Sequence, residues 1–336
     1  MSEISVRKRS VAGLLVALFV LAGCRGVYGL TSEYVQLHVE QYYTVNGLIY
    51  NFKQAANPEV LSESIGLYMQ YLVVAHDAAR FAAQVQILEE HFIVREHGYT
   101  FVRWKLGDHI TVSAVIDDLR LAKALTVAAD RFNEPSYHAL AVEIIESIQA
   151  NMLIDGRLRD FYDWHYRLAY GEFFLSYFIV PVMTHFGFPD AVFEPLEGLV
   201  GTPFFLERYV DGAVLPANPV EVNMIDQTLI AIAFYKRVGH VEPHFQRFLE
   251  ERLMEDGVIF ARYYRDTGRN VNENESSATY AFLLHYFRVT GQPELAQKAE
   301  GLLLQMQTGD AVTAHFFDFI NKELALVGGL CLFWEG

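Results

Sequence analysis

Apolar residues run through this chain in blocks that do not alternate with polar ones, the mark of helices rather than of half-buried strands. Tyr137 to Ile148, Gln227 to Tyr235 and Ala278 to Phe287 are such blocks, rich in Ala, Leu, Ile and Phe. Between blocks a short motif returns: a polar residue, a glycine, then a brief β-type stretch. It reads Asn46-Gly47-Leu48-Ile49-Tyr50, His97-Gly98-Tyr99-Thr100-Phe101, Asp155-Gly156-Arg157-Leu158, Asp211-Gly212-Ala213-Val214-Leu215 and Asp256-Gly257-Val258-Ile259-Phe260. Gly309-Asp310-Ala311-Val312 is a weaker sixth, and the glycines stand 51, 58, 56, 45 and 52 residues apart. Asn/Asp-Gly supplies the positive φ that ends a helix or makes a tight turn. A period near 50 leaves room for two helices and their loops. Six such helical hairpins predict an all-α protein, an (α/α)6 toroid; an open solenoid carries the same local signature.

Each of the first five repeats also places a polar cluster in or just before a strongly apolar block. These are Ser62-Glu63-Ser64 before Ile65 to Ala75, Asp117-Asp118 before Leu119 to Ala129, and Ser176-Tyr177 within Phe173 to Met183. Asn223-Met224-Ile225-Asp226 before Thr228 to Tyr235, and Glu275-Ser276-Ser277 before Ala278 to Phe287, complete the set. A helix apolar all round is a buried one, so these blocks are expected to form an inner ring. Their N-termini would gather Glu63, an Asp117/Asp118 carboxylate, Asp226 and Glu275 at one mouth. N-capping is the plain explanation for any one of them; four at one rim ask for more.

The N-terminus reads as an address. Arg7, Lys8 and Arg9 precede the apolar run Val11 to Leu21, which is shorter than the roughly 20 residues a membrane span needs. It ends in Leu21-Ala22-Gly23-Cys24, which looks like a bacterial lipobox. That resemblance implies a signal peptide over 1–23, acylation of Cys24, a tether over 24–40 and one domain over 41–336, held outside the cytoplasm on the membrane. No Pro- or Ser-rich linker interrupts residues 31–336.

Composition narrows the choice of partners. A hydrophobic share of 52% excludes a disordered chain, and a formal charge of −15 is a poor match for nucleic acid. Losing residues 1–23 would remove three basic residues and Glu3, leaving −17. Cys24 and Cys331 are too few for a disulfide framework, and Cys331 is expected to be a small buried apolar residue. His240 and His244 flank Pro243, which rules out a zincin helix, and no phosphate-binding or nucleophile-elbow motif is present. No metal and no cofactor are expected, and the chain is expected to be a monomer.

At the polar clusters the chain resembles glycoside hydrolase family 8, and more closely its lipoprotein branch associated with bacterial exopolysaccharide. Leu61-Ser62-Glu63-Ser64-Ile65-Gly66-Leu67 is similar to the segment bearing the family's general acid, and Trp104-Lys105-Leu106 to its Trp-Lys motif. Ser113-Ala114-Val115-Ile116-Asp117-Asp118-Leu119 aligns with Ser-Ala-Thr-Asp-Ala-Asp-Leu, and Leu175-Ser176-Tyr177-Phe178 with Pro181 with its Ser-Tyr-Phe…Pro segment. Leu215-Pro216 and Ile225-Asp226 fall where the family has Val-Pro and the Tyr-Asp of its catalytic base.

The resemblance implies Glu63 as acid, Asp226 as base, and a polysaccharide with β-1,4-type bonds as substrate. Inverting hydrolysis needs the two carboxyl groups about 6.5–9.5 Å apart, with room for one water. Asp118, Asp117 and Glu275 are the candidate sugar-holding carboxylates. Tyr68, Trp104, Tyr162, Trp164 and Tyr177 are candidate stacking platforms or core aromatics. Two positions depart from the pattern: Ile116 replaces the motif's first aspartate, and Leu229 an arginine three residues beyond the base. A glycan-binding lipoprotein without turnover is therefore the alternative reading.

Overall fold

The computed structural model describes residues 33–52, 57–306 and 314–334. Helices dominate: α1 (33–42), α2 (Ser62–Val74), α3 (Ala78–Ile87), α4 (Val115–Phe132), α5 (Pro135–Asn151), α6 (Val180–His185) and α7 (Glu194–Glu197) come first. After them come α8 (Met224–Val238), α9 (Pro243–Glu255), α10 (Ser277–Val289), α11 (Pro293–Gln305), α12 (Phe316–Leu326) and α13 (Gly329–Trp334). The blocks read from the sequence at 137–148, 227–235 and 278–287 all lie inside helices. The signal segment, Cys24 and the Gly309 repeat lie outside the described residues.

Alternate helices pack in a closed cycle: α2 on α4, α4 on α6, α6 on α8, α8 on α10, α10 on α12, and α12 back on α2. The backbone repeats that cycle. The first N–H of α2 donates to the Trp104 carbonyl, that of α4 to Asp160, Leu175 to Glu207, and that of α8 to Ala261. Phe316, at the start of α12, donates to Asn51 and so returns to the beginning of the chain. Each donor thus finds its acceptor in the loop that leads into the next inner element. The first donor of each of these elements is met by backbone rather than by a side chain.

The recurrent glycine motif forms tight hairpins. Asn46, His97, Asp155 and Asp211 all have positive φ, as do Gly47, Gly98, Gly156 and Gly212 after them. Two central residues of positive φ make the type I′ turn, whose twist matches paired strands. These turns join 44–45 to 48–49, 93–96 to 99–102, 153–154 to 157–158 and 208–210 to 213–215. The fifth motif differs: Asp256 and Gly257 both donate to the Arg252 carbonyl and close the end of α9.

Three expectations need correction. Phe173 to Met183 is not one helix but a strand pair at 173–174, a 3-10 turn at 175–177 and the short α6. Phe173 and Phe174 pair with Tyr209 and Arg208, and Pro181 keeps the residue before it from continuing a helix backwards. The tether drawn over 24–40 also runs too far. Val35 and Val39 are fully buried, and His38 stacks on Phe319 with ring centroids 4.6 Å apart, so 33–40 belong to the folded body. Cys331 is partly exposed, with Sγ 3.7 Å from His285 Nδ1, rather than fully buried. Among the described residues no helix is long and apolar enough to cross a membrane.

Candidate active site

The hairpins deliver their strands to the N-terminal ends of the inner helices. Strand 112–114 runs straight into α4, 173–174 into the 175–177 turn, and 221–223 into α8. Carboxylates in the first turns of α2, α4 and α8 therefore share one face of the ring. None of the three caps its helix. The N-cap residues of α2 and α4, Leu61 and Ala114, make no side-chain cap bond, and α8 is capped by Asn223. Free of capping, Glu63, Asp117 and Asp226 are left to other partners.

Glu63 and Asp117 share one. Arg120 Nη1 lies 3.2 Å from Glu63 Oε2 and 3.3 Å from Asp117 Oδ1, and the Ser62 hydroxyl donates to Asp117 Oδ2 at 2.8 Å. The Glu63 side chain keeps 25% of its surface exposed, whereas those of Asp117 and Arg120 are nearly sealed. Burial and the negative Glu63 push the Asp117 carboxyl well above the usual carboxylate range, with Arg120 and Ser62 pulling back. The Ser62 N–H donates to the Trp104 carbonyl, whose oxygen lies 3.0 Å from Ser62 Oγ, which fixes the partly exposed Trp104 beside the pair. The Lys105 ammonium covers the Trp104 ring at 4.6 Å.

Tyr177 lies within electrostatic reach of both this group and Asp226. Burial raises its hydroxyl's proton affinity, and the negative charges of Asp160, Asp117 and Asp226 add to that while Arg120 opposes it. The half-buried Asp226 is itself shifted up by burial. Ser176 Oγ faces it and partly offsets that shift, without a hydrogen bond of ordinary geometry. Behind Asp226 a buried network holds its surroundings. Glu207 accepts from Gln227 Nε2 at 2.7 Å, from Arg265 at 2.5 Å and from the Ala217 N–H at 3.0 Å.

Five sequence candidates stand apart. Asp118 is sealed from solvent, its Oδ1 has no hydrogen-bond partner among the described residues, and burial raises its carboxyl well above the usual range, so it offers a ligand no oxygen. Tyr68 is buried and faces Arg80, Glu40 and Asp77 instead of the carboxylates. Tyr162 and Trp164 stack on Phe101 inside the core. Glu275 is exposed and accepts from the Tyr280 hydroxyl, away from Arg120 and Tyr177. Three residues that the sequence did not mark belong here: Arg120, Asp160 and Glu207. Arg120 carried one signal, a basic residue within an apolar block three residues after Asp117. Asp160 and Glu207 gave none, because their partners are distant in the chain. Among the described residues no group of His, Cys, Asp and Glu could hold a metal ion.

No protein-family model matches the chain. It is 28% identical over 236 residues to "Putative lipoprotein YdaJ" of Bacillus subtilis, covering 67% of this chain. The match spans 63% of that relative's length. Among solved structures it is similar to PssZ from Listeria monocytogenes, with 39% identity, 87% of this chain and 94% of that one covered, and a TM-score of 0.85. A novel alpha-amylase from Clostridium perfringens shares the fold at 23% identity, covering 89% and 97%, with a TM-score of 0.75. So does endoglucanase Cel10 of Klebsiella pneumoniae, a family 8 glycosyl hydrolase, at 16% identity, 87% and 97% covered, with a TM-score of 0.64.

Proposed function

We propose that this chain, which is 39% identical to PssZ and shares the fold of a family 8 glycosyl hydrolase, is an inverting glycosidase that cleaves β-1,4-type bonds of a bacterial exopolysaccharide. The closed cycle of inner helices supports an (α/α)6 toroid with the cleft at the N-terminal mouth. Glu63 is the acid that protonates the leaving glycosidic oxygen. Asp226 is the base that takes a proton from the attacking water on the opposite side of the sugar. Asp117 lies beside Glu63 and supplies negative charge near the oxocarbenium-like centre, while Trp104 and Tyr177 border the bound sugar. The observation that carries this reading is the release of the first-turn carboxylates from capping, with two of them, Glu63 and Asp117, bridged by Arg120.

We further infer that acylated Cys24 holds the enzyme at the outer side of the cell membrane, where its polymer is made. Labelled palmitate should enter the wild type and not Cys24→Ala.

The activity is tested by reducing-end release from exopolysaccharide of the producing strain. Glu63→Gln and Asp226→Asn should each lower turnover by at least about a thousandfold, with unchanged circular dichroism. Equal, negligible release by the wild type and both variants, with glycan binding kept by all three, would identify a binding protein instead. Linkage analysis of the products tests the β-1,4 assignment, and α-linked cleavage would refute it.

A further inference from the structure

Arg120 is a charged side chain in the wall of an apolar ring. Its residue exposure is 7%, and a guanidinium buried that deeply is costly unless it is paired. It has not settled on backbone carbonyls, as Arg131 does on Val73. Its side-chain contacts are the two carboxylates, both through Nη1, and the Phe317 ring 5.8 Å away. Below it lies a small axial cavity that it shares with Gln70, Lys123 and Asn321. Ile116 and Leu229 are sealed in the core at 6% and 3% exposure, so neither position supplies a charge to the mouth. The carboxylate and guanidinium that do so stand one turn apart on α4, as Asp117 and Arg120.

We propose that Arg120 is a positioning residue of the cleavage reaction, bridging Glu63 and Asp117 so that the acid is aimed at the leaving oxygen and the charge it acquires is stabilised. The proposal rests on the hydrolase reading above. In the step concerned, water forms a bond to the anomeric carbon and the bond to the leaving oxygen breaks. Asp226 accepts the proton from water, and Glu63 gives its own to the leaving oxygen and becomes a carboxylate. A guanidinium 3.2 Å away favours that product state. The same charge opposes the rise that burial and Glu63 impose on Asp117, so Arg120 also shapes the pH dependence of the pair it bridges. Other charged or titratable groups around the pair are Asp118 and Lys123 on α4, Tyr177 and Asp160 beside it, Asp226 on α8, and the Lys105–Glu59 ion pair beyond Trp104. None of them bridges the two carboxylates.

The test is the pH profile of kcat/KM for wild type, Arg120→Met and Arg120→Lys, each checked for native circular dichroism. Arg120→Met should move the alkaline limb up by about one pH unit and lower kcat at least about tenfold with a smaller change in KM. Arg120→Lys, which keeps the charge, should return the limb toward its wild-type position. An alkaline limb that stays put in a folded, active Arg120→Met would overturn the proposal and leave the hydrolase reading intact. If the wild type turns over no glycan, that reading fails instead. Carboxyl 13C titration of wild type and Arg120→Met then decides the role of Arg120. Asp117 should titrate higher in the variant, and an unmoved titration overturns the proposal.

Discussion

Asp160 shows how a carboxylate can serve the site at a cost to folding. It is 2% exposed, accepts one bond from the Phe174 N–H, and is pushed up to about 7 by burial, with Glu172 adding to the effect. A carboxyl raised on folding stabilises least when it must ionise. The folded state keeps its proton while the unfolded chain sheds one near pH 4, so stability falls as pH rises from about 4 to about 7. Asn keeps the acceptor and cannot ionise. Asp160→Asn should therefore match the wild type in thermal unfolding at pH 4 and exceed it at pH 8, by a few kcal/mol at most. A stability gap that is the same at both pH values would contradict this account. Glu63, Asp117 and Asp226 were legible in the sequence because a carboxylate just ahead of an apolar block is a local pattern. Arg120 and Asp160 are not local: they act through contacts with α2 and with the strand at 173–174, which no spacing announces.

Among the elements, the hairpins were the most legible, since Asn-Gly or Asp-Gly before a β-type run dictates its own turn. The stretch 173–183 was the least, because its apolar run suits a buried helix as well as a buried strand. Pairing with 208–209 and Pro181 decided the outcome. The hairpin 161–170 leads back toward the site through Gly171, which sits at φ 88. A Cβ added there would stand 3.2 Å from both Asp160 Cβ and Phe161 Cδ2. Gly171→Ala should cost about 1–3 kcal/mol, through backbone strain and displacement of Asp160, and should lower turnover more than Gly98→Ala. Gly98 has a similar φ of 83, but an added Cβ there meets nothing within 4 Å. Denaturant melts and initial rates of the two variants make the comparison, and equal effects on rate would refute the link between Gly171 and the site.

At the scale of the molecule, the ring is completed by segments far apart in the chain. Helix α1 covers α12 through His38, Tyr43, Phe316 and Phe319, while α13 lies against α2, α6, α10 and α12. Removing residues up to 42 would expose Phe319 and should lower the melting temperature sharply, since burial of each large side chain contributes about 1.5–3 kcal/mol. A truncated protein that melts with the full chain would place α1 outside the cooperative unit. The repeat in the sequence foretold most of the inner helices, but not that 33–40 would join the body, because their partners on α12 and at Asp77 and Arg80 lie far away in the chain.

The central claim is that Glu63 and Asp226 act from opposite sides of the sugar with a water between base and anomeric carbon. Proton NMR of the first product formed by the wild type on a glycan of known linkage tests it most directly. The account predicts that the new reducing end appears first with the anomeric configuration opposite to that of the bond cleaved, and only later mutarotates. A product that first appears with its configuration retained would contradict it.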